Sequence, residues 1–427
     1  MNSLLPALKI SRDQASRNFR LGVANGIFYI TAETAMDPTL VMVAFLSRLT
    51  DSPLLLGMVL PIRDGAWMLP QLWVSGWLQS VPHKLTVYRN ISYIRVLMWI
   101  VVALTMNLVS DPALLLVLFF TAFSISSIAS GFSGLPFLEV VGKTIPADRR
   151  GEFFAWRFGL AGIGSILASA FVRWVLDPHS PFTFPYNYGT LSVVFLVLAV
   201  FSVIAFCSIT EPVEEKVLPR QNFGFQLRRA LCVTRENGRF RAFLSLQALA
   251  MLAGSATPFF AVYVQDELGG SPAMIGVYLA ILTAANLASN LVFGRLSRRV
   301  GNSRVMTLAV AAGVSMSALV LLLTLLARPL QLNGALAGAW LLPVYVLLGI
   351  RGSGMGVTNN ALLLDIAPAE ERSLYLGFSN TLLGLVLLST GLSGGIVKLF
   401  GFQALIGFTL ICHVLAMLLA LKIAKNK

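Results

Sequence analysis

The sequence predicts an all-α membrane protein with 12 transmembrane helices in two pseudo-symmetric six-helix bundles. Three observations support this fold class. First, 56% of the 427 residues are apolar and 12% are charged, with a mean hydropathy of +0.78, whereas soluble domains are about one quarter charged. Second, twelve apolar stretches reach the roughly 20 residues that a membrane-spanning helix needs. Third, short motifs of the first half return in the second half.

The twelve apolar stretches, numbered 1 to 12 along the chain, divide equally between the halves. Those of the first half lie near 20–47, 53–79, 90–110, 112–141, 155–176 and 189–210. Those of the second half lie near 239–265, 272–296, 303–327, 335–365, 370–397 and 402–424. We therefore expect an N-terminal six-helix bundle over 1–210, a cytoplasmic basic linker over 211–238 and a C-terminal six-helix bundle over 239–427.

Three short motifs occur twice, in the same order and at a nearly constant separation. They are SPLLLG at 52–57 and SPAMIG at 271–276, GWL at 76–78 and GRL at 294–296, and PADRR at 146–150 and PAEER at 368–372. Repeated halves built from membrane helices are typical of secondary transporters, in which the solute site lies between the repeats.

The net charge of +13 follows the predicted membrane topology. With the N-terminus inside, nearly all of the 32 lysines and arginines lie in or beside cytoplasmic segments. The exceptions are Arg48, Arg63, Arg173, Arg328, Arg351 and Lys398. This positive-inside bias predicts a multi-pass protein of a bacterial-type inner membrane with both termini cytoplasmic. Because topology accounts for the charge, we expect no nucleic-acid partner.

A short motif lies between stretches 8 and 9, where residues 294–304 read GRLSRRVGNSR. It matches the pattern Gly-x-Leu-x-Asp-Arg-x-Gly-x-x-Arg at Gly294, Leu296, Arg299, Gly301 and Arg304, and it departs at the acidic position, which is Arg298. The first-half copy keeps Gly76, Leu78 and Lys84, with Ser80 at the acidic position and His83 at the second glycine. With this motif and its six-plus-six topology, the chain resembles the major facilitator superfamily.

The resemblance implies a secondary transporter that moves a small organic solute by alternating access, and it assigns the motif residues to a cytoplasmic gate. The acid of that gate is missing from both copies. Glu139 and Asp365, near the inner ends of stretches 4 and 10, are candidates to pair with the motif arginines instead, or else they lie in headgroup water. Proton coupling is favoured over sodium coupling.

Five charged residues are predicted near the middle depth of the membrane, namely Glu33, Asp37, Arg63, Asp64 and Arg351. A charge at the bilayer centre costs roughly 2.5–3.5 kcal/mol on insertion scales, so such residues usually line a cavity or meet a partner. Glu33 and Asp37 are four residues apart and would share one helical face. We expect the acids to titrate and the arginines to anchor a ligand. The alternatives are an ion-pair network that only holds helices together and, at Asp37, a kink before Pro38.

Neutral polar residues extend the same predicted cavity, and they are Asn25, Trp67, Gln71, Gln247, Asn286, Asn290, Asn359 and Asn360. Amide side chains in membranes also bridge helices, at about 0.6 kcal/mol each. For any single one of these amides, bridging is therefore the competing interpretation.

The sequence offers little support for catalysis. It holds three histidines, and no His-rich cluster or Ser/His/Asp set is visible. The glycine run at 352–356 is followed by no Gly-Lys-Ser/Thr, so it is not a nucleotide loop. We therefore expect no enzyme activity, no cofactor and no metal, and a monomer that binds a small molecule and a proton within the bilayer. A non-transporting membrane receptor or scaffold with the same fold is the alternative.

Overall fold

A computed structural model of the chain describes residues 12–146, 149–212, 222–327, 329–332, 334–368 and 371–425. The side chains of residues 12, 360, 364 and 373 are outside this description. Every regular element in these ranges is helical, as the fold class predicts.

The first half contains nine α-helices and one π-helical turn. They are α1 (Arg12–Ala35), α2 (Val41–Ser47), α3 (Pro53–Leu60), the π-helical turn (Pro61–Gly65), α4 (Ala66–Met68), α5 (Gln71–Leu78), α6 (Lys84–Leu108), α7 (Pro112–Thr144), α8 (Arg150–Val175) and α9 (Tyr186–Cys207). Local signals fix several of these ends. At α7, for example, the Asp111 carboxylate accepts a hydrogen bond from the Leu114 amide at 2.7 Å, and Pro112 occupies the first helical position, as is usual for helix starts.

The second half begins with the linker helix α10. Its elements are α10 (Phe223–Glu236), α11 (Gly238–Ala253), α12 (Phe259–Leu268), α13 (Met274–Val300), α14 (Asn302–Leu326), α15 (Gly334–Ile366), α16 (Arg372–Ser389), a 3-10 turn (Thr390–Leu392), α17 (Ser393–Phe400) and α18 (Phe402–Lys425). The expected basic linker is thus partly helical. Arg229 of α10 pairs with Glu371, which precedes α16, at 2.6 Å.

Nine helical segments of the described chain are long and apolar enough to cross a membrane. They are α6, α7, α8, α9, α13, α14, α15, the α16–α17 segment and α18. The other three predicted stretches, 20–47, 53–79 and 239–265, also form helices, but each is interrupted. The interruptions fall at 36–40, 61–70 and 254–258.

Asp37 and Pro38 explain the first interruption. Proline lacks the backbone N–H that a continuing helix needs. The Asp37 carboxylate accepts hydrogen bonds from the Thr39 and Leu40 amides at 2.8 and 2.9 Å, which caps the start of α2. Because α1 ends at Ala35, Glu33 and Asp37 do not share a face of one helix, and that expectation is wrong. The alternative, a kink before Pro38, agrees with the structure.

Both ends of the described chain lie on one face of the bundle, which we call the terminal face. Asn18 near the start of α1 donates a hydrogen bond to the Thr210 carbonyl beyond α9, at 3.0 Å. Near the end of α18, Ile423 packs with Phe243 of α11. The opposite end of the bundle is called the far face.

The apolar core is organised differently at the two faces. On the far face one cluster joins both halves, and it includes Phe45, Phe119, Val262, Tyr278 and Tyr345. On the terminal face the core divides into a first-half cluster and a mainly second-half cluster, which Leu72 of α5 joins from the first half. A small cluster of Met68, Leu383 and Leu387 also links the halves. Packing therefore seals the two halves together at the far face and leaves them more separate at the terminal face.

Two helix seams run between the halves, and both depend on glycine. In one seam α8 packs against α13, and a Cβ added to Gly276 would lie 2.5 Å from the Ser169 carbonyl oxygen. In the other seam α3, the π-helical turn and α5 pack against α16 and α17, where Gly65 meets Gly384. Small residues let backbones approach in this way.

Candidate functional site

A polar cavity of about 560 Å³ lies between the two halves, and we call it the central cavity. The first half contributes Asp37, Arg63 and Asp64 to its wall, and the second half contributes Asn286, Asn290 and Arg351. Six residues that the sequence predicts as site residues are thus brought together, although they come from four separate stretches of the chain.

The helix interruptions coincide with this cavity. Its wall includes Asp37 and Thr39 from the first interruption, Arg63 from the second, Thr257 from the third and Thr390 from the 3-10 turn. A broken helix leaves backbone groups without intrahelical partners, and inside a membrane such groups are tolerated only where protein or a polar cavity meets them. The interruptions therefore supply much of the polarity of the site.

Arg63 forms the centre of a charged cluster on the first-half wall. Its Nε donates to Glu33 Oε2 at 3.1 Å, its Nη2 contacts the same oxygen, and its Nη1 donates to Asp64 Oδ1 at 2.8 Å. The π-helical turn carries both Arg63 and Asp64, and such turns are frequent at functional sites. The Arg63 and Asp64 side chains remain 34% and 38% exposed, so a ligand in the cavity can reach them.

Asp37 faces the central cavity without an ion pair to Arg63. Its Oδ1 is occupied by the Thr39 amide, by the Thr39 hydroxyl at 2.6 Å and by the Leu40 amide. This carboxylate therefore has a structural task at the start of α2. Glu33, rather than Asp37, is the acid that pairs with Arg63.

Arg351 lies on the opposite wall, on α15. One Nη donates to the Ala250 carbonyl in the last turn of α11, where the interruption leaves carbonyl groups unmet. Within the described ranges no carboxylate lies within ion-pair distance of Arg351. A guanidinium carries five N–H donors, so Arg351 keeps donors and an uncompensated positive charge at the cavity.

Asn286 and Asn290 lie one turn apart on α13 beside Arg351. Asn290 Nδ2 donates to Asn286 Oδ1 at 2.9 Å, and both side chains line the central cavity. Amide groups can donate and accept. The pair therefore adds neutral hydrogen-bonding capacity to the wall that carries the free positive charge.

The other predicted polar residues lie elsewhere, and most of them bridge helices. Asn25 contacts Ser202 Oγ at 2.7 Å, Gln71 accepts from Asn380 at 2.7 Å, and Gln247 donates to Asn359 at 2.8 Å. These four predicted residues, which are Asn25, Gln71, Gln247 and Asn359, therefore bridge helices and do not line the central cavity. Trp67 lines a smaller cavity inside the first half. The side chain of Asn360 lies outside the described residues.

The second-half motif forms the turn between α13 and α14 on the terminal face. Gly301 has φ +88°, a conformation that side chains rarely adopt. The arginines at 298, 299 and 304 are exposed, and Gly294 and Leu296 are half-buried on α13. Asn302 Nδ2 approaches Asp365 Oδ2 at 3.4 Å. Glu139 on α7 is exposed and makes no ion pair with a described residue.

The acid missing from the first-half motif is replaced in space by Glu211. Its carboxylate accepts from the Lys84 and Leu85 amides at 3.1 and 2.7 Å and pairs with Lys143 at 2.9 Å. The side chain is only 2% exposed. Sequence reasoning missed it because the domain boundary fell at 210 and assigned Glu211 to the linker. Its position directly after an apolar stretch was the available signal.

Three further polar groups, two of them buried, were missed, although each stands inside an apolar stretch. Arg157 donates to the Gly22 carbonyl and to Asn25 Oδ1, both at 2.7 Å. His413 Nδ1 lies 2.9 Å from Ser317 Oγ. Arg95 lies over the ring of Tyr29, with its guanidinium carbon 5.5 Å from the ring centre. Listing every charged residue and histidine within the stretches would have found them.

The fold and the site define a class, a multi-pass helical membrane protein whose two halves enclose a polar cavity. The chain belongs to the Major Facilitator Superfamily, whose sequence profile matches residues 88–388 and 243–426. This confirms the family expected from the motif at 294–304.

Solved transporters share this architecture. The nucleoside transporter NupG, in a mutant form, aligns with a TM-score of 0.72 and 13% identity, over 95% of this chain and 99% of that chain. A D-xylose-proton symporter aligns at 0.67 and 14%, over 97% and 98%. An auto-inhibited POT family peptide transporter aligns at 0.69 and 14%, over 95% and 96%. No curated protein sequence matches the chain.

Proposed function

We propose that this protein is a secondary transporter that moves a small organic solute across a bacterial-type inner membrane by alternating access through the central cavity. The observation that carries the proposal is the free positive charge of Arg351, which faces Arg63 and Asp64 across a cavity of about 560 Å³. Family membership supports the transport role, since members of this fold bind their solutes at the interface of the halves.

The proposed topology has twelve spans and two cytoplasmic termini. The count includes the three interrupted stretches beside the nine continuous segments. The exposed arginines at 298, 299 and 304 favour a cytoplasmic terminal face. Because the largest apolar cluster joins the halves at the far face, whereas on the terminal face Leu72 is the one buried apolar residue described in the first half that joins the second-half cluster, we assign this conformation to the inward-open state.

The preferred substrate class is a small organic anion. An unpaired guanidinium in a membrane cavity attracts negative charge, and its planar donors suit a carboxylate or a phosphate. Asn286 and Asn290 beside it can hydrogen-bond the neutral part of such a solute. A cavity of this size falls within the usual range for small-molecule sites.

Proton coupling is proposed through Glu33. Arg63 is held between Glu33 and Asp64, so a substrate anion that takes donors from Arg63 weakens its hold on these carboxylates. A carboxylate that loses its counter-charge in a dry site favours the protonated form. Anion and proton would then enter together, which is symport. The gate residues Glu139 and Asp365 remain proposed partners of the motif arginines.

A thermal-shift screen tests the substrate class. Purified protein is heated with small organic anions, cations and neutral metabolites in a buffer that holds sodium chloride and sodium acetate constant and high, so that such simple anions binding elsewhere do not add to the shift. A ligand that binds only the folded protein raises its apparent stability. We expect anions to give the shift and Arg351→Gln to remove it. Arg304→Gln, which changes an exposed arginine on the terminal face, should keep it. A shift from cations alone, or one that survives Arg351→Gln, contradicts the anion assignment.

Transport in proteoliposomes tests the coupling. With a ligand from the screen, we expect a pH gradient to drive uptake into vesicles that hold the unchanged protein. Glu33→Gln should abolish gradient-driven uptake while leaving exchange partly intact, because the amide still hydrogen-bonds Arg63 but cannot take up a proton. Unchanged gradient-driven uptake would remove Glu33 from the coupling role. Ligand binding without any flux would instead favour the receptor or scaffold.

A further inference from the structure

A second polar cavity, of about 240 Å³, lies inside the first half, and we call it the N-terminal cavity. It is enclosed by α1, α2, the π-helical turn, α4, α6 and α7. Arg63 and Asp64 are the only wall residues that it shares with the central cavity. No described residue of the second half lines it, so Arg63 and Asp64 stand between this cavity of the first half and the site between the halves.

Arg95 brings to this cavity a positive charge that no described carboxylate pairs with directly. It stands near the middle of α6, and its recorded contact is the ring of Tyr29, with 5.5 Å from guanidinium carbon to ring centre. Its Nε is buried and has no hydrogen-bond partner. Glu33 and Asp64 also line the cavity, but both carboxylates are engaged by Arg63. Arg95 is therefore the cation of this cavity whose donors remain available, although the four charged side chains sum to zero.

Three serines of α7 line the same cavity, at positions 126, 127 and 130. Their spacing places them on one face of the helix. None of their hydroxyls makes a hydrogen bond with another residue in the described part of the chain. Unmet hydroxyls inside a membrane bundle are costly unless something in the cavity meets them. Hydroxyl donors beside a free guanidinium form a set that suits a small negative ligand.

We propose that the N-terminal cavity is a second binding site, for a compact monoanion such as chloride or a short carboxylate, anchored by Arg95 and by the hydroxyls of Ser126, Ser127 and Ser130. The proposal does not depend on the transported solute, because Arg351 plays no part in it. Water alone is the competing occupant.

The charge balance predicts that this anion binds together with a proton. The charged side chains that line the cavity are Glu33, Arg63, Asp64 and Arg95, with Tyr29 as a further titratable group, while α7 contributes no charge. Two acids already balance two arginines. A bound monoanion therefore adds one net negative charge to a poorly solvated site, which is costly. Proton uptake by Asp64, the more exposed acid of the cluster, restores the balance.

Intrinsic fluorescence provides the test, because Trp67 and Trp99 both line the cavity. Purified protein is titrated with sodium chloride and, in a separate arm, with sodium acetate. We expect a saturable change in emission in at least one arm. Arg95→Gln should weaken binding by at least about tenfold, as loss of a charged hydrogen-bond donor does. Arg89→Gln, an exposed arginine of the same helix, is the matched control and should bind normally.

Two further variants test whether this site is independent of the central cavity and whether Asp64 takes up the accompanying proton. Arg351→Gln should retain the fluorescence response even where it loses the transported ligand. Between neutral and mildly acidic pH, affinity should rise about tenfold for each unit by which the pH is lowered, if one proton accompanies one anion. Asp64→Asn should bind the anion without this pH dependence.

The outcomes that overturn the proposal are equally specific. No saturable response in either salt means that the cavity holds only water. An unchanged response in Arg95→Gln removes the anchor, and loss of the response in Arg351→Gln moves the anion to the central cavity. Should Arg95→Gln fail to fold, the pair Ser126→Ala and Ser130→Ala takes its place. That double variant should weaken the response, and an unweakened response also overturns the proposal.

Discussion

At the residue scale, several polar groups in this protein complete broken helices as well as line a cavity. Asp37 caps the start of α2, and Arg351 meets the Ala250 carbonyl at the end of α11. A helix end that is buried without partners is costly. These two residues therefore combine a local structural task with a position on the wall of the central cavity.

The capping role of Asp37 predicts a difference between two substitutions. Asp37→Ala should lower the free energy of unfolding by about 1 kcal/mol, because a lost N-cap typically costs that amount. Asp37→Asn should stay close to the unchanged protein, since asparagine is an equally good cap. Thermal unfolding of the purified variants measures both. If the asparagine variant loses as much stability as the alanine variant, the negative charge of Asp37, and not its capping oxygen, is what the fold requires.

Glu211 shows how far residue-level reasoning from the sequence can reach. The motif comparison correctly found that position 80 carries no acid. It could not find the replacement, because Glu211 reaches the amides of Lys84 and Leu85 across more than a hundred residues of chain. Which acidic side chain takes the place of the missing motif acid depends on which helix ends are neighbours in the folded protein.

At the element scale, every interrupted helix lines the central cavity, together with the continuous helices α8, α13 and α15. Stretches 1, 2 and 7 are broken, and the α16–α17 segment contains a 3-10 turn at 390–392. Continuous helices such as α9 and α14 contribute nothing to the central wall. Hydropathy located all of these elements but could not separate the two kinds, because a break inside an apolar stretch changes its mean hydropathy very little.

The glycine seam between α3 and α17 gives a prediction with an adjacent control. A Cβ added to Gly394 would overlap the Pro53 carbonyl group, whereas a Cβ added to Gly395 meets nothing within 4 Å. Gly394→Ala should therefore force α3 and α17 apart and lower both the unfolding temperature and the transport rate. Gly395→Ala should leave both unchanged. If both variants have the same unfolding temperature and transport rate, the close contact between α3 and α17 at Gly394 is contradicted.

At the scale of the whole molecule, the apolar core is asymmetric. One large cluster joins the halves on the far face, whereas on the terminal face the two clusters are largely separate and Leu72 links them across the halves. Such an arrangement lets the halves rotate as bodies about the central cavity. For access to alternate, the joined cluster must part and the separated side must close.

A reversible lock on the far face tests this motion. In a background without Cys207, Cys232 and Cys412, Gly57→Cys and Ser393→Cys are combined. A Cβ at position 57 would lie 3.2 Å from Ser393 Oγ, which is close to disulfide geometry. We expect oxidation to stop transport, reduction to restore it and ligand binding to persist throughout.

The single cysteine variants serve as controls for this lock and should transport in both redox states. Transport that continues after complete cross-linking would mean that the far face does not open during the cycle, and alternating access in the proposed form would be excluded.

The membrane class, the apolar stretches, the repeated motifs and the family follow from the sequence by itself, because hydropathy and short motifs are local properties of the chain. The same local reasoning located Glu33, Arg63 and Arg351 as charges in apolar surroundings. Only the tertiary structure decided what those charges do. It pairs Glu33 with Arg63 and leaves Arg351 without a carboxylate. It also turns Asn25, Gln71, Gln247 and Asn359 into bridges between helices. The physical reason is that the energy of a charge or an amide in a membrane depends on the partner within hydrogen-bonding distance, and residues distant in the chain supply that partner.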